Sequence, residues 1–294
     1  MTILKRSLSL VLFLALSAYA QSTYAQSATS AHVQTVLLKS KLVGATLPYN
    51  VIIPLSYHAD GRRKSYPVLY LLHGLGGHYD NWISKTSLVT YAAQYSIIIV
   101  TPEGSDGWYT DSATVATDKY ESYLLRELIP DVEHRFRAVS GRQGRSIAGL
   151  SMGGYGALKF AVKHPEKFVF AGSMSGALDP AVRSETHQGF AWGFVRPSIL
   201  KVFGAVGNPV RAGNDLHLLF RGLPASRIKR LPHLYFDCGT EDGFLTTNRD
   251  LAAILRERNI PHEYREPPGK HEWAYWDQRV RVVLKLAAEQ MATR

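Results

Sequence analysis

The residues Gly149-Leu150-Ser151-Met152-Gly153 form the pattern Gly-x-Ser-x-Gly, in which a serine can serve as a nucleophile in a tight turn. The β-rich run 145–148 precedes the turn and a helical pattern follows it, which is the strand–turn–helix setting that the pattern needs. Side chains flanking the serine would collide in so tight a turn, which accounts for the glycines. We predict that Ser151 is a nucleophile. The alternative is a glycine-rich turn whose serine only caps the helix.

A serine hydroxyl needs a general base, and the chain has eleven histidines. With this turn the base is expected late in the chain, after an acid. His271 fits because it follows a predicted strand and the loop 267–270 and precedes the C-terminal helix. His73 is a rival, but it precedes the serine and adjoins a glycine-rich loop. We predict His271 as the base.

The acid that orients this base is expected after a strand between the serine and the histidine. Residues 234–236 are typical of such a strand, and the turn after them offers two adjacent carboxylates, Glu241 and Asp242. We prefer Asp242 and keep Glu241 as the alternative, because sequence spacing does not separate them. Asp237, at the end of the strand, is predicted to be structural.

Attack on a carbonyl builds negative charge on its oxygen, which backbone N–H groups can stabilise. One donor is expected from Met152, the residue after the serine. The second is expected from the glycine-rich loop 72–77, where we choose Leu75. That loop lacks the lysine of a phosphate-binding loop, and no His-Glu-x-x-His metal motif occurs in the chain. Cys238 is the single cysteine, so no intrachain disulfide can form, and we predict that it is buried and structural.

Strands and helices alternate from about residue 66 onward, which predicts an α/β fold with a mostly parallel sheet and helices on both faces. The predicted strands are 32–39, 49–54, 68–72, 97–100, 146–148, 168–171, 234–236 and 262–266, the first two as an antiparallel pair. The predicted helices are 120–136, 154–163, 248–258 and 272–288. Residues 179–230 are rich in glycine and proline and are predicted to form a short irregular cap over the sheet, not a separate domain.

Residues 1–25 are typical of a secretory signal peptide, with Lys5 and Arg6 before the apolar run 8–16 and a cleavage site after residue 20 or 25. The apolar run is shorter than the roughly 20 residues that span a bilayer, so no integral membrane segment is predicted. We predict export to the periplasm or the exterior, with residues 26–294 as one domain. The net charge of +10 falls by the two basic residues to +8 on cleavage. The remaining basic residues are scattered, so no nucleic-acid partner is predicted.

The chain resembles an esterase family of α/β-hydrolases that includes tributyrin-type esterases, S-formylglutathione hydrolases, feruloyl esterases and mycolyltransferases. The similarity covers nearly all of residues 48–276. Four segments carry it: Tyr66-Pro67-Val68-Leu69-Tyr70-Leu71-Leu72-His73-Gly74, Glu127-Leu128-Ile129-Pro130, Ala148-Gly149-Leu150-Ser151-Met152-Gly153-Gly154-Tyr155-Gly156-Ala157 and His271-Glu272-Trp273-Ala274-Tyr275-Trp276.

The resemblance implies an α/β-hydrolase fold and no metal or organic cofactor. It implies the triad Ser151, Asp242 and His271, with N–H donors at Leu75 and Met152. It also implies a substrate contact at Trp108-Tyr109, and it places substrate preference in the insertion 179–230.

Together these features predict a secreted serine carboxylesterase that hydrolyses short-chain or aromatic acyl esters, small or linked to a polysaccharide, through an acyl-enzyme. Thioester hydrolysis of the S-formylglutathione type and acyl transfer are the alternatives. A catalytically silent binding protein is disfavoured because every triad member is present. Aromatic residues of the insertion are expected to line a compact pocket or, alternatively, to pack the insertion against the sheet: Phe190, Trp192, Phe194 and Phe203.

Overall fold

The computed structural model describes residues 31–59, 64–184, 186 and 192–292, so the predicted signal peptide lies outside the described residues. This part of the chain contains eight strands: β1 (His32–Lys39), β2 (Thr46–Ile53), β3 (Val68–Leu72), β4 (Ile98–Pro102), β5 (Arg145–Leu150), β6 (Phe170–Met174), β7 (His233–Asp237) and β8 (Glu263–Arg265). They form one sheet in the order β1-β2-β4-β3-β5-β6-β7-β8. β1 pairs antiparallel with β2 as predicted, β2 pairs antiparallel with β4, and the other neighbours are parallel.

The α-helices of the described residues are α1 (Ser56–Ala59), α2 (Asn81–Ser84), α3 (Leu88–Ala92), α4 (Tyr120–Tyr123), α5 (Ile129–Arg135), α6 (Met152–Lys163), α7 (Trp192–Phe203), α8 (Pro209–Ala212), α9 (Leu216–Arg221), α10 (Ala225–Ile228), α11 (Leu245–Glu257) and α12 (Trp273–Ala292). A π-helix (Leu124–Leu128) joins α4 to α5, so the predicted single helix 120–136 is interrupted.

Each face of the sheet has its own apolar core, because successive residues of a strand point to opposite sides. Val68, Tyr70 and Leu72 pack on one face with α4, α5, α6 and α11. Leu69 and Leu71 pack on the other face with α2, α3 and α12. The predicted α/β fold with helices on both faces is confirmed.

The insertion is more regular than its composition indicates, since α7 to α10 occupy most of residues 192–228. Pro197 lies inside α7, but other prolines and glycines mark helix ends: Pro209 begins α8, Pro224 precedes α10, and Gly213 and Gly222 follow α8 and α9. Proline suits the first turn of a helix and glycine the position after its end. Over residues 192–228 the predicted irregular structure is therefore corrected to a set of mostly short helices.

The strand directions bring the predicted functional loops to one edge of the sheet. β3, β5, β7 and β8 run parallel, so their carboxyl ends lie on the same side. The loops after these strands carry the glycine-rich segment 73–77, Ser151, Asp242 and His271.

Candidate active site

Ser151 occupies a strained turn between β5 and α6, with φ at 51°. A Cβ at Gly149 would lie 2.5 Å from the backbone of Gly153, and a Cβ at Gly153 would lie 2.6 Å from the backbone oxygens of Leu72 and His73. Only glycine fits at either position, because the contacting atoms are backbone and cannot give way. The turn therefore holds the serine backbone in a conformation that most residues avoid.

The hydroxyl of Ser151 is hydrogen-bonded to His271. The distance from Ser151 Oγ to His271 Nε2 is 3.1 Å, and His271 Nδ1 lies 2.9 Å from Asp242 Oδ2. Two aromatic rings pack edge-on against the imidazole, with centroid distances of 5.1 Å for Phe244 and 4.9 Å for Trp276. The imidazole thus lies between the Asp242 carboxylate and the Ser151 hydroxyl. In this arrangement it can accept the proton of the serine.

The two adjacent carboxylates of the loop after β7 have different surroundings. The side chain of Asp242 is 0% exposed, and its Oδ1 accepts a hydrogen bond of 2.8 Å from the Phe244 amide. The side chain of Glu241 is 59% exposed and lies 3.8 Å from the Lys270 ammonium. The structure brings Asp242 to His271 and leaves Glu241 at the surface.

Asp237 and Cys238 are buried at the end of β7. The carboxylate of Asp237 accepts hydrogen bonds from the hydroxyls of Tyr235 and Tyr275 and from Arg279. Tyr275 and Arg279 belong to α12, so these hydrogen bonds join β7 to α12. Burial raises the pKa of the Cys238 thiol, which keeps it protonated and unreactive at neutral pH.

The two predicted N–H donors come from two different segments, the start of α6 and the glycine-rich loop. Met152 is the first residue of α6, where an α-helix leaves its N–H groups without an intrahelical acceptor. Leu75 lines the same cleft as the serine. The loop around it is fixed by two hydrogen bonds, from the Gly77 amide to the Gly74 carbonyl (3.0 Å) and from the Gly76 amide to Asp106 (2.8 Å).

His73 has a different place from His271. Its ring is buried, Nε2 accepts a hydrogen bond of 2.9 Å from the Gly104 amide, and Nδ1 lies 2.8 Å from the Gly74 carbonyl. The acceptor role of Nε2 assigns the ring proton to Nδ1, which donates to that carbonyl. His73 therefore ties the glycine-rich loop to the loop after β4, a role that the sequence did not indicate.

Ser151 opens into a cleft of about 240 Å³. Trp108 lines it and donates from Nε1 to Ser198 Oγ at 2.9 Å. Tyr109 is buried and does not line the cleft; its hydroxyl donates to the carbonyl of His73 at 3.1 Å. Of the predicted pair, Trp108 faces the site and Tyr109 supports the glycine-rich loop.

The aromatic residues of the insertion divide between the cleft and the core. Phe194 lines the cleft and is 65% exposed. Phe203 is buried, with ring centroids 6.2 Å from Trp108 and 6.1 Å from Tyr155. Phe190 and the side chain of Trp192 lie outside the described residues.

Lys159, in α6, is a fully buried cation that sequence reasoning missed. Its ammonium donates to the Tyr109 carbonyl (2.6 Å), the Thr110 hydroxyl (2.6 Å) and Glu121 (2.9 Å). Burial lowers the pKa of Lys159 to about 8, although the negative charge of Glu121 acts to raise this pKa. Both Trp108 and Tyr109 have φ near 50°, so the lysine holds a strained segment in place behind the cleft.

Within the described ranges, no group of three or more His, Cys, Asp or Glu side chains is placed to hold a metal ion. In the same part of the chain, no helix combines the length and apolar character needed to cross a membrane.

Comparison with known proteins agrees with this architecture. The family model described as "Putative esterase" matches residues 40–285. The chain belongs to this esterase family. An acetyl esterase from Caldicellulosiruptor saccharolyticus is 27% identical over 76% of this chain and 84% of its own length.

A second curated relative matches over part of its length, and a solved structure matches over nearly all of its length. Esterase Rv1288 from Mycobacterium tuberculosis is 32% identical over 79% of this chain, and the match spans about half (54%) of that relative. A solved structure of a ferulic acid esterase superposes with a TM-score of 0.75 at 25% identity, covering 89% of this chain and 99% of that one. The predicted family is confirmed, and the sheet is that of α/β-hydrolase esterases.

Proposed function

We propose that this protein is a serine carboxylesterase in which Ser151 attacks the ester carbonyl. The observation that carries the proposal is the chain of hydrogen bonds from Ser151 Oγ to His271 and from His271 to the buried Asp242, at the opening of a cleft. Each member has the neighbour that its role requires: hydroxyl to base, and base to acid.

In the first half-reaction His271 Nε2 accepts the hydroxyl proton as Ser151 Oγ bonds to the carbonyl carbon. Asp242 stabilises the resulting imidazolium and fixes its orientation. The amides of Met152 and Leu75 stabilise the oxyanion, with added support from the positive end of α6. His271 then gives the proton to the leaving alcohol, which leaves the acyl group on Ser151.

In the second half-reaction water replaces the alcohol. His271 takes a proton from water, the hydroxide attacks the acyl carbon, and the proton returns to Ser151 Oγ as the carboxylic acid leaves. One residue, His271, therefore serves as base and then as acid in each half-reaction.

Short or flat acyl groups suit the site best. A cleft of about 240 Å³ between the aromatic rings of Trp108 and Phe194 matches an acetyl, butyryl or hydroxycinnamoyl group more closely than a long alkyl chain. The names of two similar proteins, an acetyl esterase and a ferulic acid esterase, agree with this range. With export through residues 1–25, the substrate is an ester in the periplasm or outside the cell, either small or linked to a polysaccharide.

The test combines a covalent probe with a substrate panel. A fluorophosphonate should label the wild type and not Ser151→Ala, and this variant should lose turnover of an activated ester by about 10⁴-fold or more. Labelling that survives the substitution would place the nucleophile elsewhere.

The panel contains p-nitrophenyl esters of increasing chain length, a methyl hydroxycinnamate, acetylated xylan and S-formylglutathione. Preference for acyl chains beyond about ten carbons would contradict the small volume of the cleft. A dominant rate with S-formylglutathione would replace the ester assignment with thioester hydrolysis.

A further inference from the structure

One wall of the cleft consists of α2, of Lys85, which directly follows α2, and of α12. This wall carries a cation that the proposed mechanism does not use. Lys85 lines the cleft together with Ser151 and His271. Its ammonium lies 5.4 Å from the centroid of the Trp273 ring. In the part of the chain that the structure describes, no carboxylate lies within 4.0 Å of this ammonium.

The ring under Lys85 is fixed in place. Trp273 packs edge-on against Trp82 at 5.7 Å and against Trp276 at 5.1 Å between centroids. Trp276 in turn packs edge-on against His271. The ammonium of Lys85, an exposed residue, therefore lies over an aromatic wall that continues to the imidazole.

Three carboxylates of the loops around the cleft have partners, whereas Glu272, between His271 and Trp273, is exposed. Asp242 is bonded to His271 and to a backbone amide, and Asp106 accepts the Gly76 amide. Asp80 accepts a hydrogen bond from the side chain of Asn81. Among the described residues that line the cleft there is no Asp or Glu, so the charge of Lys85 faces a space without a counter-ion.

We propose that Lys85 recognises an anionic group of the substrate, so that the preferred esters carry a carboxylate a few bonds from the scissile carbonyl. The inference rests on the proposed esterase function and narrows its substrate class. The positive end of α6 and the net positive charge of the chain act in the same direction, since both attract anions to this opening.

Two matched pairs of esters test the proposal and distinguish the side of the bond that carries the anion. On the acyl side, mono-p-nitrophenyl succinate is compared with p-nitrophenyl 4-methylpentanoate, in which an uncharged isopropyl group replaces the carboxylate. On the alcohol side, 4-acetoxybenzoate is compared with its neutral methyl ester. The measured quantity is the ratio of kcat/KM for the anionic ester to that for its neutral partner.

Lys85→Gln should lower this ratio about three- to tenfold in at least one pair, as expected for one partly solvated ion pair. Lys85→Arg should keep the ratio near that of the wild type. Lys285→Gln is the matched control, because it removes the same charge from an exposed position of α12 outside the cleft. The wild-type ratio should fall as ionic strength rises, because salt screens the attraction.

An unchanged ratio in both pairs, or an equal loss with anionic and neutral esters, would overturn the proposal. The neutral esters report separately on the proposed function, because their hydrolysis by the wild type requires Ser151 whether or not Lys85 binds an anion. Failure to hydrolyse them would overturn the esterase assignment itself.

Discussion

The two sides of the cleft are built in different ways. The side that holds Ser151 is packed so closely that a single added carbon at Gly153 would meet the carbonyls of Leu72 and His73. The side formed by the insertion is open, and Phe194 projects from α7 with 65% of its surface exposed. The closed side fixes the backbone of the proposed nucleophile, whereas the exposed ring of Phe194 can change without disturbing the core, so we expect substitutions there to affect substrate preference first.

The largest difference in kcat is expected between variants of the two adjacent carboxylates in the loop after β7. Asp242→Asn should lower kcat by about 10⁴-fold, because the imidazole would lose its partner and adopt the wrong tautomer. Glu241→Gln should change kcat less than about twofold, because that carboxylate is 59% exposed and its contact is with Lys270. Steady-state kinetics on p-nitrophenyl acetate measure both. Equal losses in two folded variants would remove Asp242 from the triad.

A smaller but still severe effect is expected at the serine turn. Gly153→Ala should lower kcat/KM by about 100-fold or more and reduce the free energy of unfolding by about 1–3 kcal/mol, since the new methyl group must displace backbone. Gly193→Ala is the control, because a Cβ there has no neighbour within 4 Å among the described residues. Activity and urea unfolding would be compared in the two variants. A fully active Gly153→Ala would show that the closed side tolerates expansion.

Glu121 forms a largely buried ion cluster with three residues of α6 and its C-terminal end, Lys159, Lys163 and His164. We expect this cluster to make the stability of the protein depend on pH in the acid range. Burial favours a raised pKa of Glu121, but the charge of Lys159, the hydrogen bond of His164 and the charge of Lys163 together lower that pKa well below its usual value. A carboxyl whose pKa is lowered by folding stabilises the protein above its unfolded pKa of about 4.3 and loses that contribution as the pH falls.

Glu121→Gln should therefore cost about 2–4 kcal/mol of unfolding free energy at pH 7 and flatten the dependence of that free energy on pH between about 5 and 3. Denaturant unfolding at several pH values measures this slope. Glu166→Gln, at an exposed position after α6, should leave the slope as in the wild type. A variant at position 121 with the wild-type slope would contradict the lowered pKa.

The smallest effect is expected on the open side. Phe194→Ala should raise KM for p-nitrophenyl butyrate about two- to fivefold, with kcat and thermal stability nearly unchanged, because its ring is mostly exposed. Phe203→Ala is the buried counterpart and should cost about 3–5 kcal/mol of stability. A loss of stability at Phe194 comparable to that at Phe203 would show that the open side is part of the core.

The sequence by itself determined the features that depend on neighbouring residues. The strand–turn–helix around Ser151 could be predicted because the glycines and the apolar run lie within a few positions of the serine. The buried parallel strands were predicted from continuous apolar runs such as Val68–Leu72, which are hydrophobic on both faces of the sheet. The helices of the insertion were missed because the same glycines and prolines that break a helix also mark its ends.

Only the tertiary structure decided which residues meet across the chain. Adjacent side chains of one turn point in different directions, so the choice between Glu241 and Asp242 required the position of His271, which comes from another strand end. Lys85 and Trp273 are far apart in sequence and meet because α2 and α12 pack on the same face of the sheet. The buried contact of Lys159 with Tyr109 likewise depends on the packing of α6 against the loop after β4. Local patterns encode elements, whereas contacts of this kind depend on strand order and on which face each helix covers.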